Sequence, residues 1–100
     1  MEERNGVKFN PGRIVATRGI AERMEKEPVF REFCMASLAR HLKADWGDLE
    51  QEDWAVNNEA LKSGEDRMFS AYIFGDTNEK IWIITEWDRS ATTILYPSEY

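Results

Sequence analysis

One hundred residues, 42% hydrophobic and 32% charged with only six Gly and three Pro, make one globular domain with one modest core and argue against a disordered chain. Nineteen acids against thirteen bases give a net charge of -6, which speaks against holding nucleic acid mainly by phosphate neutralisation. No stretch reaches the roughly 18 consecutive apolar residues of a membrane span, and a single Cys excludes an internal disulfide and an all-cysteine zinc site.

The opening MEERNGVKFN lacks the basic-then-apolar order of a secretory signal, so a cytosolic protein is expected, with residues 1–10 as a loose segment of a single domain 1–100. Pro11-Gly12 is turn punctuation. The β-branched run Arg13 to Thr17 predicts a first strand, ended by Gly19. Good helix formers fill Ile20 to Lys26, and Pro28 makes Glu27-Pro28 a helix–helix joint. Phe30, Phe33, Cys34, Ser37, Leu38 and His41 recur at three- and four-residue spacing, which predicts a second helix from Val29 to Leu42 with that stripe on the core. Asp48-Leu49-Glu50-Gln51 reads as a capping box opening a third helix. Its apolar side takes Leu49, Val56, Ala60 and Leu61, and Gly64 stands just past its end.

Beyond Gly64 the period turns to alternation, rich in aromatic and β-branched residues. Met68 to Phe74, Lys80 to Trp87 and Thr92 to Pro97 predict three strands joined by hairpin loops at 75–79 and 88–91. Short hairpins force antiparallel pairing, and the first strand joins an edge. The expectation is an α+β fold of order βαααβββ: an antiparallel sheet of three to four strands with the helices packed on one face. With an even final turn, Ile83, Thr85 and Trp87 share a face with Thr92, Ile94 and Tyr96, and Trp82, Ile84 and Glu86 share the other with Thr93 and Leu95. Both faces of the middle strand are apolar. Trp82 or Trp87 therefore belongs either to the core or to a contact surface for a partner, in a monomer or a homodimer.

The charge is uneven. Residues 1–50 hold nine acids and nine bases, whereas 51–100 hold ten acids and four bases, and no Lys or Arg occurs from Ala44 to Leu61. The acids either keep a small domain soluble or meet a basic patch on a partner protein. His41, the only histidine, is the first candidate for acid–base chemistry. A further helical turn would put Asp45 at i+4 from it, with Asp48 or Glu86 as a third ligand for a metal-dependent hydrolase or nuclease; the alternative is a core histidine bonded internally. Glu86, Asp88, Arg89, Ser90, Thr92 and Thr93 crowd one hairpin, either as a polar pocket or as local turn chemistry. Catalytic candidates are thus His41, Asp45, Glu86, Asp88 and Arg89; binding candidates are Asp45, Trp46, Asp48, Arg89 and Ser90. No metal site and no cofactor are assigned. Cys34 reads as a buried small hydrophobe.

Three segments read together, GRIVAT at 12–17, ARHL at 39–42 leading into DWGDL at 45–49, and IWIITEWDRSATTILYPSEY at 81–100, resemble the small "plasmid-related protein" family of bacterial plasmids, integrated elements and phages. The match runs from about Lys8 to Tyr100 and keeps the order of those motifs. The resemblance implies an accessory protein of mobile DNA, acting by contact with a host or defence protein, and it carries no catalytic residue. Family members are sometimes labelled as a modification subunit of a type I restriction enzyme, yet no G-x-G-x-x-G cofactor loop occurs here.

Overall fold

A computed structural model describes residues 6–100 of the chain. The elements run β1 (Arg13–Ala16), α1 (Arg18–Lys26), α2 (Pro28–Leu42), α3 (Gln51–Ser63), β2 (Met68–Phe74), β3 (Glu79–Thr85) and β4 (Ala91–Leu95), followed by a 3-10 turn at Pro97–Glu99. This is the expected α+β order. The sheet order is β1-β4-β3-β2. The pairs β2–β3 and β3–β4 are antiparallel, as hairpin loops require, while β1 joins β4 in parallel, so the sheet is mixed. The long helical excursion between β1 and β2 is what allows β1 to arrive in that orientation.

Register sorts the side chains. Ile83 pairs with Ile94 and Thr85 with Thr92 on the inner face; Trp82 pairs with Leu95 and Ile84 with Thr93 on the outer face, as the alternation predicts. Trp87 departs from the expected inner set. The turn at 86–89 closes with the Arg89 N–H on the Glu86 carbonyl, at 2.9 Å, and carries Trp87 out to 63% exposure.

Helices α1 and α2 cover the inner face around Ile20, Phe30, Cys34, Tyr72, Ile81, Ile83 and Ile94. The α2 stripe buries Phe30, Cys34, Ser37 and His41, and Pro28 stands at its first turn after Glu27 has ended α1. Arg23 of α1 clasps this layer to the sheet. Its guanidinium donates to both Glu79 carboxylate oxygens, at 2.8 and 3.0 Å, and to the Tyr96 hydroxyl, at 3.1 Å, and lies over the Phe30 ring. A second cluster, Trp46, Ala60 and Met68, seats α3 with Phe9, Leu49, Trp54 and Leu61 against it.

Four further expectations change. Residues 6–10 are held down: the Lys8 N–H donates to the Leu42 carbonyl and the Phe9 ring packs on His41 and Trp46. Residues 1–5 lie outside the described residues. Helix α1 begins at Arg18 with Gly19 inside it, because the Glu99 carboxylate reaches over from beyond β4 to accept from the Gly19 N–H and the Thr17 hydroxyl. A carboxylate there also opposes the positive end of the helix dipole. The capping box is not formed. Asp48 donates its N–H to the Ala71 carbonyl at 2.7 Å, and α3 starts at Gln51 after an N-cap at Glu50 that makes no side-chain bond. Val56 is 63% exposed, since α3 turns Asn57 and Ala60 inward, while Gly64 takes the left-handed end position at φ 74°.

Candidate functional site

The sequence candidates separate into three places. His41 is fully buried in the last turn of α2, facing the sheet. Its Nδ1 lies 2.6 Å from Ser70 Oγ and its Nε2 lies 2.9 Å from Thr85 Oγ1; Thr85 Oγ1 is 2.7 Å from Thr92 Oγ1, which donates to the Pro11 carbonyl at 2.8 Å. The Pro11 carbonyl can only accept, so the whole chain has one direction. Thr92 donates to Pro11, Thr85 to Thr92 and His41 Nε2–H to Thr85, which leaves Nδ1 to accept from Ser70. His41 is therefore a neutral Nε2–H tautomer, and burial pushes its pKa from 6.5 down to about 3. Both ring nitrogens are committed to hydroxyls of β2 and β3. The ring also packs against Phe9 and Trp46.

The expected His41–Asp45 pair does not form. Helix α2 ends at Leu42, Ala44 takes φ 65°, and Asp45 swings onto Arg40, whose Nε and Nη2 donate to it at 2.7 and 3.2 Å. The Arg40 guanidinium holds the Asp45 carboxyl below its ordinary value. Trp46 is likewise not displayed: it is fully buried with Nε1–H on Asn58 Oδ1, filling the gap between α2 and α3. Gly47, at φ 76°, makes a one-residue bridge with Ala71, and a Cβ on it would sit 2.0 Å from the Ala71 carbonyl oxygen. Only glycine fits there.

Around the β3–β4 hairpin, Arg89 is a clamp. It donates to the carbonyls of Asp66, at 2.7 Å, and Ala60, at 3.0 Å, tying the turn to the last turn of α3 and to the segment that leads from it into β2. Asp88 accepts from the Ser90 N–H, the local turn bond that this residue pair favours. Glu86 is exposed on the outer face and lines a shallow cleft with Arg67, Ile84, Thr93, Leu95, Glu99 and Tyr100. His41, Asp45, Glu86, Asp88 and Arg89 are thus not gathered in one cleft, and among the described residues no group of three His, Cys, Asp or Glu is placed to hold a metal ion. Cys34 is buried, and burial pushes its thiol up to about 11.

What spacing alone did not locate is an open groove of about 640 Å³ on the outer face. Its floor is Phe69, Ala71 and Trp82, its wall is Asp48, Glu50, Gln51 and Asp53 at the start of α3, and Lys80 stands at one end. Phe69 and Trp82 meet edge-to-face at 5.0 Å, and so do Tyr100 and Trp82 at 5.8 Å. The signals for it were the two apolar faces of β3 and the base-free window 44–61; the register that joins them was not visible. No protein-family model, no curated protein and no solved structure matches this chain.

Proposed function

We propose that the chain is an accessory protein that works by protein–protein contact through the outer face of its sheet. The observation that carries this reading is the outer face of the sheet, which α1 and α2 do not cover: Trp82 and Phe69 remain half-buried there and Ile73 is 40% exposed, while Ile84 and Leu95 beside them are buried in the cleft lined by Arg67 and Tyr100. A sheet apolar on both sides needs a second covering layer; α1 and α2 supply one, and Arg67 with the Glu99–Tyr100 segment covers only part of the other. The chemistry-bearing residues point the same way: His41, Asp45, Asp88 and Arg89 are each spent on internal bonds. A cytosolic accessory protein of mobile elements, modulating a host or defence factor, is the setting that the sequence resemblance suggests.

The test is affinity capture with three immobilised chains: wild type, Trp82→Ser on the outer face, and Val29→Ser on the exposed side of α2. The reading expects a protein retained at near-equal amounts by wild type and Val29→Ser and lost with Trp82→Ser, circular dichroism being unchanged. Retention that ignores Trp82, or metal-dependent hydrolysis by wild type that His41→Gln abolishes, would contradict it.

A further inference from the structure

We infer that the groove beside α3 docks an extended arginine- or lysine-bearing segment of the partner protein, an inference that rests on the interaction reading above. The outer face has a simple layout. Ala71, Trp82 and Leu95 form one row across β2, β3 and β4; Phe69, Ile84, Thr93 and Val15 form the next, reaching β1. Both rows are uncharged. Asp48, Glu50 and Asp53 rise beside them from the α3 side, and among the described residues Lys80 is the one cation lining the groove. Among the described residues none of those three carboxylates has an ion-pair partner. Three acids above an aromatic floor complement a cation twice, by charge and by the negative faces of the rings.

The molecule already holds arginines against rings with a carboxylate beside them, Arg23 over Phe30 with Glu79 and Arg40 over Tyr72 with Asp45, and the outer face itself holds one against a ring. Arg67 donates to the Tyr100 hydroxyl at 2.6 Å and lies 5.6 Å from its ring centroid, and Tyr100 in turn meets Trp82 edge-to-face. Among the described residues, no arginine lines the acid-walled end of the same aromatic row. A second copy of this chain suits the groove poorly, because each copy brings a net charge of -6. Strand addition beside the groove is closed at Phe69 and Ala71. The β2 edge is filled at Phe69 by the Asn57 side chain, at 2.6 and 3.0 Å, and at Ala71 by Trp46 and Asp48. The segment therefore binds by its side chains, laid across the face.

The probe is the acetylated, amidated peptide Arg-Gly-Arg-Gly-Arg, titrated into the isotope-labelled chain while the four indole N–H signals are followed by NMR, with Glu-Gly-Glu-Gly-Glu as control. The Trp82 signal moves saturably with the arginine peptide alone, Trp46 and Trp87 stay in place, and added salt weakens binding. Removing two charges in Glu50→Gln with Asp53→Asn weakens it about threefold to tenfold, and Trp82→Leu, which keeps an apolar face, weakens it further. Equal response to both peptides, indifference to the two lost charges, or no saturation overturns the inference. So does a Trp82 signal that moves with protein concentration in the absence of peptide, since a second copy then covers the face. Should the peptide fail while capture of the native partner still depends on Trp82, the cationic occupant falls and the interaction reading stands; if that capture fails too, both fall.

Discussion

Lowering the pH from 7.5 to 5 should destabilise this protein mainly through one residue, His41. In the folded chain the ring is buried, its Nδ1 accepts from Ser70, and its pKa is pushed from 6.5 down to about 3. The unfolded chain takes up a proton there from about pH 6.5 downward, whereas the folded chain does not, so the stability contributed by neutral His41 is complete above 6.5 and lost as pH falls toward 3. From that difference the loss is about 2 kcal/mol at pH 5 and about 3 kcal/mol at pH 4. Carboxylates held low by internal partners, Asp45 and Glu79 among them, add their own losses only further down the acid range. Urea denaturation at pH 7.5, 6 and 5 reads the first part of the curve. As the only histidine, His41 can be followed by its ring nitrogen signals without assignment ambiguity. They should show an Nε2–H tautomer that does not titrate above pH 5. A ring that titrates near 6.5, or a stability that is flat between pH 7.5 and 5, would refute the directed hydrogen-bond chain.

The same geometry sets other outcomes. Thr85→Val removes the acceptor of the His41 Nε2–H and the donor to Thr92, and should cost about 1–3 kcal/mol in denaturant unfolding. Gly47→Ala meets both a positive φ and the Ala71 carbonyl, so a loss of about 3 kcal/mol or more is expected, with the thermal midpoint as readout. Asn57→Ala leaves the Phe69 N–H and carbonyl without their partner, which should lower stability by about 2 kcal/mol and speed hydrogen exchange at the Phe69 amide. Arg89→Ala should fray the last turn of α3, seen as faster amide exchange there, with little change in the β2–β3 ladder.

Element order and strand register were legible because they follow from local rules. The α2 stripe from Phe30 to His41, the Glu27-Pro28 joint and the Ile83/Ile94 and Thr85/Thr92 pairings all come from period and turn length. What was hidden depends on residues far apart in sequence. Glu99 opens α1 across some 80 positions, so Gly19 looked like a stop. Ser70 and Thr85 reach His41, and Thr92 reaches Thr85, only once three strands are aligned, so the ring looked available for catalysis. The Gly47 bridge to Ala71 uses the Asp48 N–H, so a segment with every local mark of a capping box does not make one. The groove was half legible: its acids stood out in the base-free window and its aromatics in β3, but only the fold lays Asp53 beside Trp82.

Site-specific photocrosslinking tests the outer face most directly, with the photoreactive residue at Lys80, which stands exposed at the end of the groove, and at Val29 on α2 as a reference. In cells that produce the chain, Lys80→benzoylphenylalanine should yield one dominant adduct with a different protein, abolished by a second change, Trp82→Ser, while the Val29 probe yields none. Adducts formed equally from both positions, or only between copies of this chain, would contradict the assignment of that face to partner recognition.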